Sequence, residues 1–220
     1  MTALIYLFKN DVVCLAMDSL SVDENKCPLK YVSKFYLLPH LQCVICGTGI
    51  LSLVIKWFEF IQNSMVFKNV EDLNTHVQGH LKKISDELNI PINKSSTIYH
   101  FGVNKANNKI VGFAYRSKNS YESERLIYSM GIKPSFEDLA QQATDLLAQK
   151  GIIPMIVTII TRLKEMDEKL ELKQQVGIGG EIHFVVLDKY GAFSVQTIHR
   201  FSDYEQRFSE MLENKNVSRC

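Results

Sequence analysis

The sequence has little of what marks a chain for a membrane, a nucleic acid or a disulfide framework. Its longest apolar stretch, GIIPMIVTIITRL, spans residues 151–163 and holds both Pro154 and Arg162, whereas a helical span takes about 20 apolar residues. Lys and Arg number 25 against 24 Asp and Glu, a net charge of +1. No field of one sign draws a polyanion, so nucleic acid is set aside as a partner. The 5 cysteines are scattered along the chain, a usage that fits reduced thiols in a cytoplasmic setting. No basic leader with a small-residue cleavage site opens it, so no signal peptide is expected. Internal repeats, low-complexity tracts and an interdomain linker are also missing.

What is there is an ordinary globular composition, 46% hydrophobic and 22% charged over 220 residues. A single domain over residues 1–220 is expected. Residues 3–9 and 12–17 are apolar runs joined by Asn10-Asp11, residue types that tolerate tight hairpin turns. Both runs are apolar on both faces, so both faces should be covered. Residues 18–29 are polar and read as a loop. YVSKFYLLPHLQCVIC reads as a second hairpin turning at Pro39-His40.

Gly47-Thr48-Gly49 leads into a helix with Leu51, Val54, Ile55, Phe58 and Ile61 on one face. A second helix follows Asn69, its expected N-cap, with Val70, Leu73, Val77, Leu81, Ile84 and Leu88 as its stripe. Residues 96–103 and 109–116 form a strand pair, and a short strand near 125–129 leads to Gly131. Ser135 is expected to cap a helix that Gly151 ends. Another helix runs from Ile152 to Lys169, and a last hairpin turns at Lys189-Tyr190-Gly191. Strands and helices alternate in blocks, which predicts an α+β fold of stacked antiparallel sheets with helices outside.

The opening MTALIYLFKNDVVCLAMDS carries the chemistry. Thr2 is small enough to permit removal of Met1, which would leave its α-amino group at the tip of a strand. A Thr hydroxyl is a weak nucleophile until a base takes its proton, and an adjacent α-amine, with a reference pKa of about 7.7–8.0, suits that task. Asp18 closes the second strand. Lys34 lies in an apolar strand where an unpaired charge is costly, so Asp18 is its expected partner.

These features resemble the β-type proteasome subunits of the N-terminal-nucleophile (Ntn) hydrolases. TALIYLFKNDVVCLAMDS is similar to their opening hairpin, KYVSKFYLLPHLQCVICGTG to their second hairpin, and VGIGGEIHFVVLDKYGAF to their late Gly-Gly strand. The resemblance implies a four-layer αββα sandwich and a threonine-type peptidase or amide hydrolase working through an acyl-enzyme. It implies Thr2 as nucleophile, Asp18 and Lys34 as its charged support, Gly47 as an oxyanion-hole amide and Ile45 as a wall of the substrate pocket. It further implies a peptide or amide substrate, a homo-oligomer, and no cofactor or metal. The chain departs from the family pattern where supporting serines and an aspartate are expected: Ile132 and Lys133 follow Gly131, and Gln175 and Ile178 precede the Gly-Gly pair.

Other patterns have plainer accounts. Cys43 and Cys46 are three apart on a strand and point to opposite faces, as buried thiols rather than a redox pair. His76 and His80 have metal-ligand spacing, but no glutamate and no third ligand accompany them. GIGG lacks the Lys-Ser/Thr of a phosphate loop. Two further function classes stay open beside the hydrolase: a catalytically inactive structural or regulatory subunit, and a binding module on the same scaffold.

Overall fold

A computed structural model describes residues 2–64, 66–91, 93–136 and 138–217, with side chains through residue 213. Strands β1 (Leu4–Phe8) and β2 (Val12–Asp18) form the expected hairpin, with Leu4 opposite Met17 and Phe8 opposite Val13. Residues 18–29, expected as a loop, instead carry a short ribbon of β3 (Leu20–Val22) and β4 (Pro28–Tyr31). Its strands are too short and its register too broken for periodicity to reveal it, yet Leu20 is buried. The second hairpin follows as β5 (Phe35–Leu38) and β6 (Cys43–Thr48), joined through one tight turn at Pro39–Leu41.

Helix α1 spans Leu51–Ser64. The single helix expected after Asn69 is two, α2 (Val70–Asn74) and α3 (Val77–Glu87). Asn69 caps α2 as expected, its side-chain oxygen accepting from the Glu71 and Asp72 amides. Strands β7 (Thr97–Asn104), β8 (Lys109–Arg116), β9 (Ser123–Arg125) and β10 (Met130–Lys133) come next. Helix α4 (Leu139–Lys150) starts after Asp138. Ser135 therefore does not cap it; its hydroxyl lies on the Ile132 carbonyl and the Lys133 ammonium. Helix α5 (Ile152–Asp167), the hairpin of β11 (Glu181–Asp188) and β12 (Phe193–Arg200), and helix α6 (Tyr204–Val217) complete the chain. Tyr31 of the small ribbon stacks on Tyr204 of α6 with ring centroids 4.3 Å apart.

The fold is α+β, with two five-stranded antiparallel sheets in the orders β10-β1-β2-β11-β12 and β5-β6-β7-β8-β9. Three apolar clusters hold it together. One joins the two sheets face to face through Leu4, Leu15, Met17, Val44, Phe101 and Val185. A second packs β6, β7 and β8 against α1, α2 and α3, with Trp57 at its centre. A third packs Ala3, Ile5 and Ala16 against α4 and α5. Alternate residues of β1 and β2 thus enter different clusters, which is why the first hairpin is apolar on both faces. No helix among the described residues is long and apolar enough to cross a membrane.

One buried polar group makes the fold sensitive to acid. The Trp57 indole N–H donates to His100 Nε2 at 2.8 Å, and Nδ1 is buried without a partner. Burial pulls the His100 pKa down from 6.5 to about 3. The folded protein therefore refuses a proton that the unfolded chain accepts below pH 6.5, and stability falls with decreasing pH across that window by about 1.4 kcal/mol per pH unit. His100→Gln keeps an acceptor for Trp57 and removes the titration. Urea titrations between pH 6.5 and 4 should show a shallower loss in the variant, and equal slopes would refute the assignment.

Candidate active site

The site is built where the first hairpin, the second hairpin and the loop before β11 meet. Asp18, the last residue of β2, is fully buried and makes three contacts that tie these segments together. Its carboxylate accepts the Ala3 backbone N–H at 3.0 Å, the Lys34 ammonium at 3.0 Å and the Gly179 N–H at 3.2 Å. The Asn10-Asp11 turn sets the register, so the strand that ends at Asp18 returns beside the strand that begins after Thr2.

Lys34 is as deeply enclosed: its side chain is 4% exposed against 0% for Asp18. Burial lowers the Lys34 pKa, and the neighbouring Asp18 charge offsets part of that effect. Such a pair costs desolvation and is held because each partner would be worse alone.

Thr2 is mostly enclosed and lines two neighbouring cavities. The smaller, about 210 Å³, is bounded by Thr48, Ser95, Ser96, Thr97, Arg116, Lys133 and Val176 among others. The larger, about 470 Å³, is bounded by Leu20, Val22, Lys34, Gly49, Ile50 and Lys94 among others. Lys34 thus shares the larger cavity with Thr2. Met1 lies outside the described residues, so its removal is a matter for measurement.

The structure brings Thr2, Asp18 and Lys34 together through Ala3. It does not bring Ile45 to either cavity: Ile45 is fully buried in the cluster under α1 and α3. Gly47 lies inside β6 opposite Ile98 and bounds neither cavity. The two residues after it do, Thr48 in the smaller and Gly49 in the larger. Gly49 has φ +98, and a Cβ there would collide with the Ser95 carbonyl and come within 2.7 Å of Ser96 Cα. Only glycine permits this close approach of chain segments.

The departures noted in the sequence have structural occupants. Ile178 fills the third apolar cluster, and the Gln175 amide donates to the Leu170 carbonyl. Buried Asp167 accepts the Val176 and Gly177 amides at 2.6 and 2.9 Å. It shapes the loop that delivers Val176 to the cavity and Gly179 to Asp18. Ser19, which sequence reading passed over, locks the same loop by accepting the Glu181 N–H at 2.8 Å. Ser95, Ser96 and Arg116 were also passed over, and Lys133 was met only as a departure from the family pattern; the pairing of β7 with β8 and of β10 with β1 brings them to Thr2. Cys43 and Cys46 face different clusters, and burial raises both thiols well above their usual range. His76 packs on Phe67 and His80 on Phe60.

No family model matches the chain, and no curated protein matches it. Solved structures do. An Anbu mutant from Hyphomicrobium sp. strain MC1 is similar with a TM-score of 0.63 at 10% identity, covering 99% of this chain and 94% of that one. Anbu from Yersinia bercovieri, described as an ancestral beta-subunit, is similar with a TM-score of 0.61 at 10% identity, covering 99% and 96%. A second Hyphomicrobium Anbu structure gives 0.60 at 11% identity, covering 100% and 95%. These likenesses show the fold, that of the Anbu structures. They correct the expected identification as a β-type proteasome subunit: the matched scaffold is that of Anbu proteins, which are proteasome-like but distinct.

Proposed function

We propose that the chain is an N-terminal threonine amidohydrolase, a peptidase or related amide hydrolase, on a proteasome-like scaffold. The observation that carries the reading is the buried Lys34–Asp18 pair holding the backbone N–H next to Thr2 at the mouth of two cavities. With Met1 removed, the Thr2 α-amine takes the proton from its own Oγ. The Oγ attacks the substrate carbonyl carbon, and the carbonyl electrons move to oxygen. The C–N bond then breaks, the leaving amine takes the proton, and an ester to Thr2 remains. Water attacks that ester, releasing the acid and restoring the hydroxyl.

In this reading Asp18 and Lys34 act on the reaction by position and charge. The Lys34 ammonium favours the developing alkoxide on Thr2, and Asp18 keeps that ammonium charged against its burial. The Gly49 backbone amide at the edge of the larger cavity, rather than that of Gly47 inside the β6 ladder, is the proposed oxyanion donor, worth about 2.7–4 kcal/mol of barrier in comparable acyl transfers. The sheets and helices are read as four layers of one domain over residues 1–220, a reading supported by the three apolar clusters.

A second reading, a catalytically inactive subunit on the same scaffold, is favoured by Ile132, Lys133, Gln175 and Ile178 standing where supporting polar groups are expected. Intact mass separates the two. The hydrolase reading expects a protein one methionine lighter than the translated chain, and full retention of Met1 would remove it. A homo-oligomer in the cytoplasm is the proposed setting. Light scattering should give a multiple of the 25.2 kDa chain, and a monomer at high concentration would count against it.

A further inference from the structure

We propose that the smaller cavity beside Thr2 selects substrates with a carboxylate close to the scissile amide, held by Lys133 together with Arg116 and Lys118. The proposal rests on the amidohydrolase reading only for the word substrate; the anion subsite itself rests on the cavity.

The cavity is lined by Arg116, Lys118 and Lys133, with Thr2, Thr48, Ser95, Ser96, Thr97 and Ser117, and among the described residues no acidic side chain bounds it. The cations come from both sheets. Arg116 stands opposite Thr97 at the end of β8, Lys118 follows two residues on, and Lys133 stands opposite Leu4 on β10, beside the strand that Thr2 precedes. Sequence distance hides this convergence, which only the register creates.

The nearby charges do not cancel. Glu124 accepts two hydrogen bonds from the Arg116 guanidinium, at 2.8 and 3.1 Å, and so neutralises one cation. Lys133 donates to the neutral Ser135 hydroxyl at 3.0 Å. Among the described residues neither Lys133 nor Lys118 is in an ion pair, and both line this cavity, Lys133 also bordering the neighbouring hollow that holds Ser135. Burial first, then Arg116 and Lys118, lower the Lys133 pKa, and Glu124 opposes them in part. An arriving carboxylate would add to that opposition, and its charge-assisted hydrogen bonds are stronger than neutral ones. The larger cavity is different: Asp23 and Glu24 share it with Lys26, Lys34, Lys94 and Lys173, so its charge is mixed. Selection for an anion therefore belongs to the smaller one.

Two kinds of carboxylate could enter, an acidic side chain or a free C-terminus. Four internally quenched peptides separate them: Glu or Gln before the scissile bond, each with a C-terminal carboxylate or carboxamide. With Met1-free protein, kcat/KM for the Glu peptide should exceed that for Gln by about tenfold or more. A preference that follows the free C-terminus instead assigns the subsite to the terminal carboxylate and also supports the proposal. In either case Lys133→Gln should bring the ratio close to one, and Lys133→Glu should invert it. Equal kcat/KM for all four peptides, or a ratio indifferent to Lys133, overturns the proposal. If no peptide is cleaved, the hydrolase reading fails and fluorescence polarisation with the same peptides decides the subsite. Tighter binding of a carboxylate-bearing peptide, lost in Lys133→Gln, supports it. Equal binding by all four overturns it.

Discussion

Thr2→Ala should lower hydrolysis of a peptide amide by at least about 10³-fold in protein freed of Met1, because on the proposed reading only the Thr2 hydroxyl has the free α-amine on its own residue as base. Thr2 lines both cavities, and its chain neighbour Ala3 is fixed to Asp18. The substitution removes a hydroxyl and a methyl from a residue at the edge of the core and leaves the Ala3–Asp18 hydrogen bond in place, so the melting temperature should hardly move. Thr2→Ser keeps both hydroxyl and amine and should retain part of the rate. Steady-state assays on the three proteins, with melting curves beside them, check this. A Thr2→Ala variant within tenfold of the parent would place the nucleophile elsewhere.

Asp18→Ala should be the most destabilising single change in the site, by about 3–5 kcal/mol, since it leaves a buried ammonium without its counter-charge. Lys34→Met should cost less. With Lys34 gone, the Asp18 carboxylate still accepts the Ala3 and Gly179 amides; with Asp18 gone, Lys34 keeps no hydrogen-bond partner among the described residues. The pH dependence carries a sign that tests the same account. Burial already lowers the Lys34 pKa below 10.5, and Asp18 is the group that opposes this. In Asp18→Ala the folded pKa falls further, so the unfolded chain holds the proton more readily than the folded one. Stability of the variant should then rise with pH toward 10.5, by about 1.4 kcal/mol per unit within the window between folded and unfolded values. Urea midpoints for both variants from pH 7 to 10 would show it, and equal losses at every pH would contradict it. Lys34→Ala should in addition remove most of the hydrolysis.

The charged part of the site was legible in the sequence because three constraints coincided there. A two-residue turn fixes the register of β1 and β2, a lysine stands in apolar surroundings, directly before β5 rather than inside a strand as expected, and an aspartate ends the strand that must lie near it. The doubly apolar hairpin announced its two covered faces for the same reason. Other elements left no such trace. The break between α2 and α3 is silent because Val70, Leu73, Val77, Leu81 and Ile84 keep their helical phase across it and all are buried. The β3–β4 ribbon is too short for a period to show, and α6 is too polar to present a clear stripe. The cationic wall of the smaller cavity is the extreme case. Arg116 and Lys133 belong to different sheets, and although the Gly131-Ile132-Lys133 segment falls where the family pattern expects a supporting serine, nothing in the local sequence of either marks them as a pair beside Thr2. The glycine turn was legible as a feature but not in detail: Gly47 sits within the ladder, and Gly49, with its positive φ, is the glycine that bounds a cavity.

The central claim is that Thr2 itself forms the covalent bond to substrate. Acid quench of Met1-free protein during turnover of a slowly deacylating amide or ester substrate, followed by digestion and mass spectrometry of the N-terminal peptide, tests it directly. The account predicts the acyl mass on Thr2, its disappearance in Thr2→Ala, and its slower formation in Lys34→Ala. An acyl group on any other residue, or an unmodified N-terminal peptide while substrate is being consumed, would contradict it.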